Sequence, residues 1–127
     1  MAVVKRIDEM DSMFGGTFVR ARGSLGAASF GLNILNIPPN TPWADHDHSA
    51  DGQEEVYTLL SGVATIKTEE GDVQLEPGLF VRVPASEKRQ ISTGDSPAQI
   101  LAIGGVPGKA YEAPPYTEVG APEPAMG

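Results

Sequence analysis

Short apolar stretches cut by turn residues dominate the middle of this chain, and this feature restricts its fold more than any other. The stretches that alternate or are bounded by Gly and Pro read as β-strands. They cover residues 30–37, 55–60, 63–68, 73–75, 79–83, 90–92 and 98–104. About seven short strands at even spacing predict an all-β barrel or sandwich.

Turn residues also predict how these strands are connected. Pro38-Pro39 ends the first strand, because proline cannot donate to a ladder. Ser61-Gly62 separates two apolar runs and predicts a hairpin between residues 55–60 and 63–68. Pro77-Gly78 predicts a further tight turn, since Pro presets φ and Gly accepts a positive φ.

The two ends of the chain differ from the middle. Residues 17–25 predict a short helix, with Thr17 as N-cap and Gly26 beyond its end. The residues from Tyr111 onward are acidic and rich in proline, so we expect them to be extended or disordered rather than packed. We therefore expect an N-terminal segment with a short helix at 1–27, a barrel at 28–110 and a Pro-rich tail at 111–127.

Charge and composition narrow the functional classes. The chain has 127 residues, enough for one hydrophobic core, and 9 Lys and Arg against 17 Asp and Glu give a net charge of −8. Such a surface repels nucleic acid and anionic membranes, so neither is an expected partner. Without cysteine, an apolar leader or a long apolar run, the sequence predicts a soluble cytoplasmic protein.

Both histidines of the chain, His46 and His48, lie one residue apart. On a strand, residues i and i+2 point to the same side, so the two imidazoles can face one point inside a barrel. Two nitrogens at this spacing suit Zn, Fe, Mn, Ni or Cu, and a carboxylate from a neighbouring strand would complete a two-His-one-carboxylate set. The alternative is that this sequence forms a polar, solvated turn.

The residues around this pair resemble the motifs of a small single-domain cupin. In the first cupin motif, two histidines one residue apart precede an acidic residue that is followed, after six residues, by glycine. His46 and His48 match the pair, and Glu55 and Gly62 match the second half. Gly71 and Pro77, with five residues between them, match the start of the second motif, and the resemblance spans roughly residues 28–105.

The resemblance implies a double-stranded β-helix, the cupin or jelly-roll barrel, that carries a divalent transition metal (Zn, Fe, Mn or Ni) and a small molecule. It implies His46, His48 and Glu55 as the metal ligands. It also implies a homodimer, since cupins often pair and exposed edge strands favour pairing.

The acidic position departs from the motif. Six residues separate His48 from Glu55, where the family has three or four. Counting from the histidine gives Gln53, whereas counting from Gly62 gives Glu55. Strand register favours Glu55, because a slip of one residue turns every side chain to the other face. Gln53 shares its parity and stays a candidate for the ligand pocket.

A second departure is the position of the family's third metal-binding histidine, which aligns with Arg89. Arginine has no lone pair for a metal. Its guanidinium could clamp the carboxylate of an acidic ligand, pair with Glu55 in a metal-free pocket, or face solvent.

Two aromatic residues complete the set of candidate site residues. Trp43 precedes the histidine pair and could form a wall of the pocket, and Tyr57 shares the strand parity of Glu55. The alternative for both is ordinary packing in the core.

These features predict a metal-binding cupin that holds a small molecule, with anionic ligands among those expected. Dioxygenase, isomerase and lyase activities are the enzyme classes that the resemblance offers. The alternative is a metal-free binding or sensor cupin in which Arg89 pairs with Glu55.

Overall fold

A computed structural model of the chain describes residues 1–124. It contains nine strands in two antiparallel sheets, which confirms the all-β cupin barrel expected from the sequence. The strands are β1 (Ser12–Met13), β2 (Phe18–Val19), β3 (Gly31–Ile37), β4 (Glu54–Gly62), β5 (Ala64–Thr68), β6 (Gly71–Leu75), β7 (Phe80–Val83), β8 (Arg89–Ser92) and β9 (Ala98–Gly105).

The larger sheet has the order β1-β2-β3-β9-β4-β7, and the smaller has the order β6-β5-β8. Apolar side chains from both sheets meet in one core, as the period-2 pattern requires. Ile37, Ile66, Ile100 and Leu75 in this core are each at most 1% exposed. This packing holds β4, β8 and β9 around the interior of the barrel.

The expected hairpin at Ser61-Gly62 is wrong, because β4 and β5 belong to different sheets. The chain changes sheets here at Gly62, whose φ is +84°. A Cβ atom at this position would lie 2.0 Å from the carbonyl oxygen of Pro97. Glycine is therefore needed here because the chain passes from one sheet to the other in close contact with another backbone segment, and not because it forms a two-residue turn.

Helix α1 (Ala21–Leu25) is shorter than the helix expected over residues 17–25. Phe18 and Val19 instead pair with Leu35 and Ile34 of β3, so the sheet takes the first residues of the expected helix. The end of the helix is as expected. Gly26 has a φ of +76°, and its N–H donates to the carbonyl of Arg22. None of the helices in residues 1–124 is long and apolar enough to cross a membrane.

The expectation that the C-terminal residues are not packed is not met for the described residues 111–124. Arg20, which is 2% exposed, donates from Nε to the carbonyl of Tyr116 and from Nη2 to the carbonyl of Ala121, both at 2.8 Å. Arg22 reaches Glu118 at 2.9 Å. The composition of the segment suggested no packing, but these arginines supply partners for its carbonyl and carboxylate oxygens.

Candidate metal centre

The segment that carries His46 and His48 lies between β3 and β4 and runs beside β8. Backbone hydrogen bonds join His46 N to Arg89 O at 3.1 Å and Arg89 N to His46 O at 2.9 Å. His48 N donates to Ala85 O at 2.7 Å. The segment is thus held in an extended form, and the two rings lie on one side with centroids 5.1 Å apart.

Glu55 comes to the same point from β4, where it pairs with Val83 of β7 and Gly104 of β9. Its Oε1 lies 2.8 Å from Nε2 of His48 and 3.7 Å from Nε2 of His46. One donor atom from each of the three residues lies within 4.8 Å of the others. The structure therefore brings together the three residues that the sequence suggested as metal ligands.

The outward nitrogen of each histidine has its own partner. Nδ1 of His46 lies 2.9 Å from the carbonyl oxygen of Ala44, and Nδ1 of His48 lies 3.1 Å and 3.2 Å from the two carboxylate oxygens of Asp51. Carbonyl and carboxylate oxygens only accept hydrogen bonds, so both Nδ1 atoms donate. In the neutral rings, both Nε2 lone pairs consequently face Glu55.

This donor set fits a divalent transition metal. Two imidazole lone pairs and a carboxylate converge, and outer acceptors fix both rings, as is usual for metal-binding histidines. Nε2 of His48 is buried, and within residues 1–124 it has no hydrogen bond of acceptable geometry despite its short distance to Glu55. A metal ion would satisfy this atom.

Tyr57 and Arg89 contact Glu55 from within the barrel. The Tyr57 hydroxyl donates to Oε1 of Glu55. Nη1 of Arg89 lies 3.4 Å from the same oxygen, and its Nη2 donates to the carbonyl of Pro84 at 2.8 Å. Arg89 is 1% exposed and does not line the cavity beside the site, so its guanidinium lies behind Glu55.

The ionisation of these groups follows from burial and from their close contacts. Burial alone would raise the pKa of Glu55. Without a metal, the contacts with His46 and with a protonated His48, and the hydrogen bond from Tyr57, prevail and hold that pKa far below its ordinary value. Burial opposes the charged form of His48, yet the carboxylates of Glu55 and Asp51 raise its pKa. Burial and the charge of Glu55 raise the pKa of Tyr57, so its hydroxyl keeps its proton.

A cavity of about 600 Å³ adjoins the three residues. Trp43, Gln53 and Tyr57, which the sequence suggested for ligand binding, all line it. Gln53 is not part of the three-residue cluster. Its side-chain amide donates to Asp51 at 3.1 Å, which places it beside the outer partner of His48.

Several lining residues were not predicted from the sequence. Phe18 and Asn33 come from β2 and β3, and Tyr111 and Tyr116 come from the C-terminal segment. These residues reach the cavity only because the two ends of the chain pack against the barrel. No local sequence pattern predicts that packing. Asp51, which contacts Nδ1 of His48, was also not predicted from the sequence. Its position three residues after His48 is a local signal for such a side-chain contact.

Comparison of the chain with known proteins supports the cupin fold described above. The family model described as "Cupin domain" matches residues 33–104. No curated protein matches the sequence. A solved cupin protein from Bacteroides fragilis is 23% identical, with 89% of this chain and 91% of that chain covered and a TM-score of 0.69.

Two further solved structures share the fold over a smaller part of their length. A sugar phosphate isomerase of the cupin superfamily from Silicibacter pomeroyi is 24% identical, with 68% of this chain and 57% of that chain covered and a TM-score of 0.62. A DMSP lyase from Ruegeria pomeroyi is 24% identical, with 72% and 46% covered and a TM-score of 0.57.

Proposed function

The chain belongs to the cupin domain family, and from this premise we propose that it binds a divalent transition metal through His46, His48 and Glu55. The adjoining cavity then holds a small molecule next to the ion. The candidate metals are Zn, Fe, Mn and Ni, which all accept imidazole and carboxylate ligands.

One observation carries this proposal. Both Nδ1 atoms donate to outer oxygens, so both Nε2 lone pairs face the Glu55 carboxylate. The two Nε2 atoms and Oε1 of Glu55 are electron-rich and close together, so they repel each other unless a cation or a proton lies between them. A proton and a metal ion would compete for Nε2 of His48, which makes metal affinity fall as the pH falls.

The surrounding residues have distinct roles in this proposal. A bound divalent ion acts as a Lewis acid, which polarises a carbonyl group or lowers the pKa of a water. Tyr57 keeps its proton and orients the Glu55 carboxylate through its hydrogen bond. Trp43 and Gln53 form part of the ligand-side wall, and Arg89 supports Glu55 from behind.

Metal content tests the proposal directly. The protein is reconstituted separately with Zn, Mn, Fe(II) and Ni, dialysed, and analysed by inductively coupled plasma mass spectrometry. We expect about one ion per chain for the wild type and a large loss for His48→Ala and Glu55→Gln.

Glu54→Gln is the matched control, because Glu54 is the adjacent carboxylate and instead lies 3.7 Å from Arg82 on the surface. It should retain the wild-type metal content. A wild type that takes up no ion, or equal content in Glu55→Gln and Glu54→Gln, would reject the proposal.

The contact between Arg89 and Glu55 supports a second candidate, a metal-free pocket that only binds a small molecule. At 3.4 Å, however, this contact is longer than the 2.7–2.9 Å of a strong charge-assisted hydrogen bond. The shortest contact of the guanidinium is with the Pro84 carbonyl at 2.8 Å. The metal measurement distinguishes the two candidates, since the metal-free pocket requires no ion in any reconstitution.

A further inference from the structure

The side chains that line the cavity beside His46, His48 and Glu55 are mostly apolar. They include Phe18, Leu35, Trp43, Ile91 and Tyr116. The rings of Phe18 and Tyr116 pack edge to face with centroids 6.1 Å apart, which joins β2 to the C-terminal segment as one aromatic wall. The volume of about 600 Å³ lies within the range of small-molecule sites.

The acidic and basic side chains around this cavity are also unequal in number. Asp47 and Glu55 line it, whereas within residues 1–124 no lysine or arginine does. Arg89, for which a clamp on an acidic ligand was one of three roles offered by the sequence, is 1% exposed, contacts Glu55 and does not line the cavity. A second anionic group on a ligand, away from the metal, would therefore be desolvated without a lysine or arginine to pair with.

We propose that the ligand has a largely apolar, uncharged body that packs on the Phe18–Tyr116 wall, and one polar end that reaches the His46–His48–Glu55 cluster. This inference rests on the proposed function and specifies its ligand class. It replaces the acidic ligand expected from the sequence, because the arginine that motivated that expectation does not reach the cavity.

Hydroxamic acids separate the contribution of the polar end from that of the body. Acetohydroxamic, benzohydroxamic and 4-carboxybenzohydroxamic acid share one metal-binding head group and differ only in the rest of the molecule. Their affinities for the metal-loaded protein are measured by isothermal titration calorimetry. We expect the benzo compound to bind at least about tenfold more tightly than the aceto compound, because its ring is buried. The additional carboxylate should remove most of that gain.

Tyr116→Lys tests whether the effect comes from this cavity. Arg20 holds the Tyr116 backbone carbonyl, which the substitution leaves in place, and the residue is 36% exposed, so a flexible cationic side chain of similar length can be accommodated. The new cation should reverse the order of the benzo and carboxybenzo compounds. Val119→Lys is the control, since Val119 is on the same segment, 56% exposed and outside the cavity lining, and it should keep the wild-type order.

The outcomes distinguish this inference from the proposed function. Equal affinities across the three compounds, tightest binding of the carboxybenzo compound to the wild type, or no reversal in Tyr116→Lys would each overturn the inference while the metal site stands. If metal analysis finds no ion, the proposed function fails, and the cavity is then tested with 2-naphthol against 2-naphthoate by fluorescence. Preference for 2-naphthol supports the apolar ligand class, and preference for 2-naphthoate overturns it.

Discussion

Asp51 decides which nitrogen of His48 faces the metal site. Its carboxylate accepts from Nδ1 at 3.1 Å, so the lone pair lies on Nε2, 2.8 Å from Glu55. The same carboxylate accepts from the side-chain amide of Gln53 at 3.1 Å. The sequence offered Gln53 as an alternative metal ligand. Its side-chain amide instead contacts Asp51, which holds the proposed ligand His48.

Asp51→Asn should lower metal affinity about 10- to 100-fold without removing a metal ligand. The neutral amide is a weaker acceptor, and it leaves His48 free to adopt the other tautomer. The measurement is competition with a fluorescent chelator. Asp45→Asn, in an exposed residue of the same segment, is the control and should bind as the wild type does. Equal affinities of the two variants would show that Asp51 does not orient His48.

At the scale of elements, α1 and the C-terminal segment are bound together by a close backbone approach at Gly23. A Cβ atom there would lie 2.8 Å from the carbonyl oxygen of Thr117 and 3.4 Å from the backbone nitrogen of Val119. Thr117 is itself 3% exposed and lines the cavity. The glycine in α1 therefore allows the segment to dock where it closes one side of the cavity.

Gly23→Ala should destabilise the protein even though alanine favours a helix by about 1 kcal/mol. The new methyl group overlaps a backbone carbonyl that cannot rotate away, and overpacking of this kind costs about 1–3 kcal/mol. Urea denaturation should give a lower free energy of unfolding. Gly94→Ala, where the methyl group meets open space, should be neutral. A gain in stability for Gly23→Ala would mean that the segment moves aside at little cost.

The same interface contains a carboxylate whose ionisation links it to pH. Oδ2 of Asp11 accepts from Nη1 of Arg20 at 2.8 Å and from the backbone nitrogen of Gly120 at 3.0 Å. The hydrogen bond from Arg20, followed by that from Gly120, lowers the pKa of Asp11 below its ordinary 3.8. Its stabilising contribution is therefore complete above that ordinary pKa and is lost as the pH falls through the lower native value.

Asp11→Asn should remove part of the acid sensitivity of the fold. Thermal melts between neutral and acidic pH should show a smaller decrease in melting temperature for the variant than for the wild type, with a lower starting value at neutral pH. Asp95→Asn, at an exposed position, is the control and should follow the wild-type curve. Parallel curves for wild type and Asp11→Asn would exclude a contribution from this contact.

The sequence predicted most of the barrel and the cluster of three residues, because both depend on the period-2 geometry of extended chain. Parity places His46 and His48 on one side of an extended chain. Glu55 came from the resemblance to the cupin motif, and strand register favoured it over Gln53. The direction of Arg89, the pairing of β4 and the docking of the C-terminal segment did not follow. They depend on contacts between residues distant in the chain, such as Gly62 against Pro97 and Arg20 against Tyr116, which no local pattern encodes.

At the scale of the whole molecule, metal binding should add to the stability of the fold. The three proposed ligands come from β4 and from the segment beside β8, so they converge only in the folded chain. At a metal concentration about 100 times the dissociation constant, binding to the native state adds about 2.7 kcal/mol. This should raise the melting temperature by roughly 10 °C.

Differential scanning calorimetry with and without a chelator measures this shift. The rise should be reversed by the chelator and absent in Glu55→Gln, while Glu54→Gln should respond as the wild type does. A melting temperature of the wild type that does not respond to any of the candidate metals would contradict the native-state site.

The homodimer expected from the sequence has a defined candidate surface in the structure. β7 ends the larger sheet, and such an edge presents backbone groups that can pair with a second copy. Phe80 on this strand is 64% exposed and lies opposite Thr58, while Leu60, two residues further along β4, is 44% exposed. We therefore predict dimerisation through the β7 edge, where a two-fold axis would bring the two copies of this apolar patch together.

Phe80→Glu should convert the dimer to a monomer in sedimentation velocity experiments, because it places like charges opposite each other across the two-fold axis. Phe30→Glu is the matched control. Phe30 is 42% exposed and precedes β3, away from this edge, so its substitution should leave the dimer intact. A wild type that sediments only as a monomer would overturn the prediction of a dimer. A dimer that persists in Phe80→Glu would place the interface elsewhere on the barrel, and the exposed apolar residues of β4 and β7 would then need a different partner.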